Sequence, residues 1–357
     1  MAIYEKIGIY IPESLKAKLE EDTRLFEVFK ANSNSINLNQ YLGSMILGYY
    51  DQYDTETQKE VQRVSNILRG QVKTSVKEKA GKNETKSPAV EDTESLARRI
   101  VQSSISLQGA SVGRKNARLA LKPTKATAPI IEDICEANKE DSASNTFVCL
   151  FQSFLSKPSY VREQIIYKEK YETLKKAIEL QHPVSFSHTK TGDTIHTVYP
   201  YLLTTSSEEQ FNYLLCAEYD SEGVLKARSY RICRIADFHS VRSEISLTET
   251  VRGYLENMAK YGPAYEINDD EECSVFLTEE GHHAYGMIYS QRPPYSAIEE
   301  VEGGYIYHFK CSKEHVERYF RRFNAGQAVV KKPEWLRKKI MDYHKDILKR
   351  YSGKSRF

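Results

Sequence analysis

Long apolar runs and secretion signals are missing from this sequence. No stretch approaches the roughly 18 consecutive apolar residues that a membrane-spanning helix needs. The N-terminus, MAIYEKIGIYIPESLKAKLEED, lacks the apolar core of a signal peptide. The six cysteines form no CxxC pair. In a chain without a secretion signal, such cysteines are expected to be reduced and mostly buried. The sequence therefore predicts a cytoplasmic protein with no membrane contact.

Signatures of enzymes are also scarce. Neither HExxH nor GxxxxGK[ST] occurs. GASVG at 109–113 matches the nucleophile pattern GxSxG around Ser111, but that chemistry needs a parallel sheet, and no such strand and helix alternation is visible. His282 and His283 are adjacent, so on a strand or a helix they point in different directions and do not readily share a metal ion. We predict that the protein is not an enzyme and holds no cofactor or metal.

What the sequence does contain is enough for two or three domains. It has 357 residues, 40% of them apolar, and a net charge of only +2, so the distribution of charge matters more than its sum. Helical and strand periodicities occupy different parts of the chain, which predicts a multidomain α+β protein. The predicted segments are a strand-helix-helix domain at 1–69, a polar linker at 70–95, a helical region at 96–165, a small β-barrel at 166–245 and an α/β extension at 246–357.

The N-terminal domain begins with a strand. Every second residue from Ile7 to Ile11 is isoleucine, while Lys6, Gly8 and Tyr10 face the other side. Two amphipathic helical patterns follow, and this order resembles the ribbon-helix-helix family. In that family two chains pair their strands, so the resemblance implies a homodimer with Lys6 and Tyr10 as candidate nucleic-acid contacts.

A basic stretch runs from Arg98 to Lys125. It holds seven basic side chains and no acidic one. Such a stretch favours a nucleic-acid contact surface, although a solvated face is an equal alternative. The candidate contacts are Arg98, Arg99, Arg114, Lys115 and Arg118.

From His182 the periodicity changes to two, with turn sequences between short apolar segments. This predicts four or five strands of a small antiparallel barrel. RSYRICRI, at 228–235, looks like a strand with three arginines that do not all face one side. Either carboxylates such as Glu218 and Asp237 neutralise them, or they line an anion site, because a guanidinium pairs well with phosphate oxygens.

Four blocks occur in order between about Tyr171 and Val241: AIELQHPVSFSH, VYPYLL, FNYLLCAEY and RSYRICRI. Together they resemble the WYL domain, which implies a five-stranded, Sm/SH3-like barrel. Pro200-Tyr201 matches the family's Pro-Tyr, and Tyr213-Leu214 matches the last two letters of its name. The tryptophan of the name falls on Asn212, so an aromatic contact there is in doubt.

WYL domains are usually regulatory modules for anionic ligands, including single-stranded nucleic acid. With a ribbon-helix-helix start and a dimerising extension, the chain resembles the WYL-domain accessory proteins of type VI-D CRISPR-Cas loci. That resemblance implies a homodimer that binds single-stranded RNA and stimulates an RNA-guided RNA-cleaving effector. The alternative is a transcriptional regulator that binds DNA through its ribbon and a nucleotide through its WYL pocket. Core packing remains an alternative role for each tyrosine. The candidate ligand contacts are Arg228, Arg231, Arg234, Tyr201, Tyr213, Tyr230 and His188.

Overall fold

The chain forms two compact units in a computed structural model. Unit 1 spans 1–168 and unit 2 spans 169–357. Helices and antiparallel sheets occur in both halves of the sequence, as expected for the α+β class. The residues described are 5–31, 33–79, 90–108, 117–137, 143–189, 192–206, 210–239, 241, 244–288, 291–324 and 326–352.

Unit 1 is mostly helical. Helix occupies both ends of the range 70–95 that composition predicts as a linker, while 80–89 lie outside the described residues. Lysine, glutamate and glutamine are good helix formers, so a polar composition does not by itself end a helix. Its elements are β1 (Ile7–Ile11), α1 (Glu13–Leu25), α2 (Leu38–Lys79), α3 (Val90–Gln108), β2 (Ala117–Leu121), α4 (Ala128–Ala137), α5 (Ala143–Leu155) and α6 (Ser159–Ile166).

The first strand has its partner in the same chain. β1 pairs antiparallel with β2, in a register that places Ile9 opposite Leu119. Both of these side chains are buried. The sequence predicts the strand and the two helices after it correctly. The ribbon-helix-helix resemblance implied a partner strand from a second chain, and the structure supplies β2 instead.

A buried ionic network joins three helices of unit 1. Asp22, near the end of α1, accepts from the Arg162 side chain of α6 at 2.6 Å and from the Tyr41 hydroxyl of α2 at 2.5 Å. Asp22 and Tyr41 are almost fully buried. A buried carboxylate is tolerated only when its oxygens are paired, so this network fixes the three helices together.

Unit 2 contains one helix followed by a sheet, and then a second sheet with its own helices. Its elements are α7 (Lys168–Glu179), β3 (Val184–His188), β4 (Gly192–Thr205), β5 (Asn212–Tyr219), β6 (Leu225–Arg231), β7 (Ile235–His239), α8 (Glu249–Tyr261), β8 (Cys273–Leu277), α9 (Glu279–Met287), β9 (Ala297–Val301), β10 (Gly304–Phe309), α10 (Lys313–Phe320), β11 (Ala328–Lys332) and α11 (Glu334–Tyr351).

The first sheet of unit 2 has the five strands that the sequence predicts. Their order is β6-β5-β4-β3-β7, and every pairing is antiparallel. The outer strands β6 and β7 are joined by only three residues, Ile232–Arg234, so the sheet must curve to bring its edges together. Within the described ranges no hydrogen-bonded pairing closes it, so the predicted barrel is an unclosed sheet. Helix α8 packs Leu255 and Met258 against one face.

The second sheet has the order β11-β8-β10-β9. Its core is rich in aromatic side chains, including Tyr285, Tyr307 and Tyr319. Helix α9 approaches the neighbouring backbone so closely that a Cβ on Gly281 would lie 2.0 Å from the Gln327 carbonyl oxygen. Only glycine fits at this position.

The six cysteines are free thiols, and all except Cys135 are buried. Across the ranges given above, no helix is both long enough and apolar enough to span a membrane.

Candidate nucleic-acid interface

The segment RSYRICRI is not a single strand. β6 ends at Arg231, Ile232–Arg234 form a 3₁₀ turn, and β7 begins at Ile235. The Lys170 ammonium of α7 donates to the carbonyls of Cys233 and Ile235 on either side of the turn's end. The prediction that the arginines alternate along one strand is therefore wrong, because strand periodicity stops before Arg234.

Arg228 is held by a carboxylate. Its Nη1 donates to Glu266 Oε2 at 2.8 Å, and the two side chains are 34% and 36% exposed. Burial disfavours the charged guanidinium, but the hydrogen bond and the charge of Glu266 outweigh that effect, so the pKa of Arg228 is raised. This arginine has the structural role that the sequence left open, with a partner that the sequence did not suggest.

Glu218, one of the two predicted partners, is occupied elsewhere. The Tyr230 hydroxyl donates to Glu218 Oε2 at 2.5 Å, and His196 Nδ1 lies 2.9 Å from Glu218 Oε1 and from the Tyr230 oxygen. Burial, followed by the bond to Glu218, raises the pKa of Tyr230 above its ordinary range. Asp237, the other predicted partner, accepts from Ser187 at 3.3 Å.

Arg231 and Arg234 line a pocket of about 630 Å³, here named the arginine pocket. Tyr265 and Arg318, which lie far along the chain, complete the wall, and Arg318 Nη2 also donates to Glu314 Oε1 at 2.5 Å. Among its described lining residues there is no aspartate or glutamate. A pocket whose described lining is cationic and aromatic suits an anion that carries a flat ring. The other predicted residues in this pocket are His188, Tyr213 and Tyr230.

An aromatic ring supports Arg231. Its guanidinium carbon lies 3.3 Å from the centroid of the Phe211 ring, which also lines the pocket. Asn212, the position where the family's tryptophan would fall, is fully buried and accepts a hydrogen bond from Thr205 at 2.9 Å. The aromatic contact is thus present one residue before the predicted position.

Two of the predicted tyrosines contribute less than expected. Tyr201 packs beside the cluster under α8 and donates to Glu256 at 3.4 Å, and it is not part of the arginine pocket. Burial, followed by the charge of Glu256, raises its pKa. Tyr213 does line the pocket but is only 8% exposed. Core packing, the alternative role named above, describes both side chains well.

In unit 1 the ribbon brings three candidate residues close together. Tyr10 lies opposite Arg118 in the β1–β2 register, both side chains are exposed, and Lys6 is exposed just before β1. A Cβ on Gly8 would lie 3.0 Å from Arg118 Nε, so the arginine lies across the glycine. The absence of a side chain at Gly8 therefore leaves space for the Arg118 guanidinium, a contact that the sequence pattern did not predict.

The remaining candidates of the basic stretch are dispersed. Arg98 and Arg99 lie on α3 with exposed side chains, and Arg98 lines a cavity that also contains Asp54, Glu94 and Asp133. Burial raises the pKa of Asp54, and the Arg98 charge opposes that effect. Acids of α2 and α4, and Glu94 of the same helix, thus line the cavity with Arg98, although the stretch from Arg98 to Lys125 contains none. Arg114 and Lys115, like Ser111, lie outside the described residues.

Sequence reasoning missed Arg318, Tyr265 and Phe211. Arg318 lies on the charged helix α10, and Tyr265 lies in the loop after α8, so no local pattern connects them with β6. Phe211 had a usable signal, since it is the aromatic residue beside the substituted tryptophan position.

No protein-family model and no curated protein matches this sequence. Among solved structures, the fold is similar to that of a CRISPR Cas-related protein, with a TM-score of 0.65 and 16% identity. That similarity covers 100% of this chain and 96% of the other, and it shows a shared fold. Proteasome accessory factor B/C (PafBC) of Arthrobacter aurescens matches with a TM-score of 0.26 and 12% identity, over 64% of this chain and 36% of that one.

Proposed function

We propose that this protein is a non-enzymatic, RNA-binding accessory protein that holds single-stranded RNA in the arginine pocket. The observation that carries this proposal is the grouping of Arg231, Arg234 and Arg318 with aromatic rings in a pocket whose described lining contains no carboxylate. Guanidinium groups pair with phosphates, and rings stack on unpaired bases. Both contacts are available from a single strand, whereas a duplex keeps its bases stacked inside.

Binding to labelled oligonucleotides tests the proposal. The full chain should bind single-stranded RNA more tightly than duplex DNA, and its affinity should fall steeply as salt increases, because each phosphate that is neutralised releases counterions. Arg231→Ala should weaken binding at unchanged melting temperature. Equal affinity for single strand and duplex, or no RNA binding, would contradict the proposal.

The CRISPR context belongs to the same proposal. The fold is shared over its full length with a protein described as CRISPR Cas-related, which supports a role as an accessory to an RNA-guided, RNA-cleaving effector of the type VI-D kind. Adding the purified chain to an RNA-guided, RNA-cleaving effector of this kind should accelerate target RNA cleavage, and the Arg231→Ala variant should not. If Arg231→Ala accelerated cleavage as much as the wild type does, stimulation of the effector would not depend on RNA binding in the arginine pocket.

A homodimer is a further part of the proposal. Helix α11 exposes Trp335, Met341 and Leu348, and apolar side chains of this size on one helix are typical of a surface that another chain covers. Light scattering should give twice the mass of one chain. A truncation after Tyr351 leaves this helix intact, so the truncated chain should still form a dimer.

A second candidate function rests on the ribbon of unit 1. The exposed Tyr10 and Arg118 share one face of a two-stranded ribbon, a shape that the major groove of DNA accepts. In this alternative the protein is a transcriptional regulator that binds DNA in unit 1 and a nucleotide in the arginine pocket. Arg118→Ala would then weaken duplex DNA binding and leave RNA binding unchanged, whereas a lack of duplex binding by the wild type would exclude it.

A further inference from the structure

Two more pockets of unit 2 adjoin the arginine pocket and form a series with it. The connecting pocket, of about 260 Å³, shares Ala264 and Tyr265 with the arginine pocket. The tyrosine pocket, of about 490 Å³, shares Arg292 and Pro294 with the connecting pocket. The three pockets therefore follow one another from the first sheet of unit 2 to the second.

Among the described residues that line this series, every charged side chain is basic or a histidine. None of the described residues that line the three pockets is an aspartate or a glutamate, although the sequence holds 49 such residues. Lys260 and Arg292 continue the cationic lining beyond the three arginines of the arginine pocket. By contrast, the cavity around Arg98 in unit 1 includes three carboxylates. A path of this kind suits a polyanion rather than a single small anion.

Two stacked rings lie between the arginine pocket and the connecting pocket. Tyr265 and His315 lie face to face, with ring centroids 4.3 Å apart and planes within 7°. His315 Nε2 lies 2.9 Å from the Gln291 carbonyl oxygen, which fixes the ring against the loop that carries Arg292. The path is therefore bounded by side chains that hold one another in place.

The tyrosine pocket is lined by two buried tyrosines and one exposed tyrosine. Tyr285 and Tyr307 are buried, and their hydroxyls are bonded to the Pro293 carbonyl at 2.6 Å and to His282 Nδ1 at 2.8 Å. Tyr295 is 49% exposed, and its ring lies at 86° to that of Tyr307, with centroids 5.1 Å apart. The guanidinium of Arg292 lies 5.5 Å from the centroid of the Tyr285 ring. An exposed ring beside a guanidinium is the combination that binds an unstacked base and its phosphate.

We propose that single-stranded RNA runs from the arginine pocket through the connecting pocket into the tyrosine pocket, where Tyr295 stacks on a base and Arg292 pairs with a neighbouring phosphate. This inference rests on the proposed RNA-binding function and extends it to a base-stacking site in the second sheet of unit 2. An RNA too short to span the path reaches only one end of it, so the contribution of Tyr295 depends on RNA length.

A ladder of oligouridines of increasing length, titrated against the full chain, tests the path. Wild-type affinity should rise with length and then level off. Tyr295→Ala should weaken the longest oligonucleotides by about 5- to 150-fold, the range of one base–aromatic stack. The shortest oligonucleotides should bind as before. Tyr295→Phe, which keeps the ring, should restore the wild-type curve.

Tyr219→Ala is a matched control, because Tyr219 is also 49% exposed and lies in the same unit outside the three pockets. It should follow the wild-type curve. If Tyr295→Ala and Tyr219→Ala behave alike at every length while the wild type binds RNA, the path is wrong and the proposed function stands. If the wild type binds no oligouridine at any length, or binds duplex RNA equally well, both the function and the path are overturned.

Discussion

The guanidinium carbon of Arg231 lies 3.3 Å from the centroid of the Phe211 ring. Arg228, three residues earlier, is instead bonded to Glu266. The described contacts of the two arginines thus differ: Arg231 stacks on an aromatic ring in a pocket, and Arg228 is bonded to a carboxylate. Their different responses to substitution are the most direct test of the site.

Arg231→Ala should weaken binding of single-stranded RNA by about tenfold to 100-fold, because a hydrogen bond to a charged group is worth about 1.5–3 kcal/mol. Its salt dependence should become shallower by about 0.7 in the log–log slope, the contribution of one phosphate contact on a single strand. Fluorescence anisotropy at several salt concentrations measures both quantities. Arg228→Ala is the control and should change the RNA affinity and the salt slope much less than Arg231→Ala does. If Arg228→Ala had the larger effect, the RNA would not bind in the arginine pocket.

Phe211→Leu should separate the support of Arg231 from its charge. Leucine keeps an apolar side chain but has no ring face, so the stack, worth about 0.5–1 kcal/mol at an exposed site, is lost. RNA affinity should fall a few-fold, while the salt slope stays at its wild-type value because no charge has been removed. A changed slope would mean that the guanidinium has moved away from the RNA.

Asp22→Asn should destabilise unit 1 strongly. The substitution leaves the buried guanidinium of Arg162 without its counter-charge, and breaking such a pair costs about 3–5 kcal/mol. Hydrogen exchange of the α1 and α6 amides reports the local loss of protection. Arg63→Ala, which removes an exposed ion pair with Glu60, is the control and should cost less than about 1 kcal/mol. Equal protection in the two variants would show that the network does not stabilise these helices.

Buried tyrosines should make the fold sensitive to alkali. Burial, then the charge of Asp22, raises the pKa of Tyr41 above its ordinary value of 10.0. Below pH 10 the hydroxyl is protonated in both the folded and the unfolded chain, so there is no effect. Above it only the unfolded chain releases the proton, and unfolding becomes easier by about 1.4 kcal/mol per pH unit for each such group. The melting temperature should therefore fall above pH 10, and less steeply in Tyr41→Phe; an identical slope would contradict this.

The thiols should react in an order set by burial. Burial raises the pKa of Cys311 and of Cys273 to about 12, so neither forms a thiolate readily near neutral pH. Cys135 is less buried, although burial raises its pKa as well. Alkylation of the native chain followed by mass spectrometry should modify Cys135 first. Early modification of Cys273 or Cys311 would indicate local opening of the second sheet of unit 2.

Local patterns predicted the elements of this fold better than their partners. Alternation from Ile7 to Ile11 predicts β1, and period two after His182 predicts four or five strands where the first sheet of unit 2 has five. The partner of β1 is β2. Ala117, where β2 begins, lies 106 residues after Ile11, where β1 ends, and no local pattern encodes such a pairing. The helices at both ends of 70–95 were missed because a polar composition suits an exposed helix as well as a linker.

The candidate site was predictable to a similar extent. Arg231, Arg234, His188, Tyr213 and Tyr230 do line one pocket. The exclusion of Arg228 and the inclusion of Arg318 follow from tertiary contacts, since Glu266 and α10 lie far from β6 in sequence. Side-chain chemistry on one strand can be read from the sequence, whereas the identity of each counter-ion depends on how distant segments pack.

The pairing of β1 with β2 has a consequence for symmetry. When two copies of one strand pair, the ribbon has a two-fold axis, and a nucleic acid that it reads tends to be an inverted repeat. Here the paired sequences are IGIYI and ARLAL, so no such axis relates them. The segment of nucleic acid that one such ribbon contacts would therefore differ when read in its two directions, and any inverted repeat in a target would come from two chains that each bind one half-site.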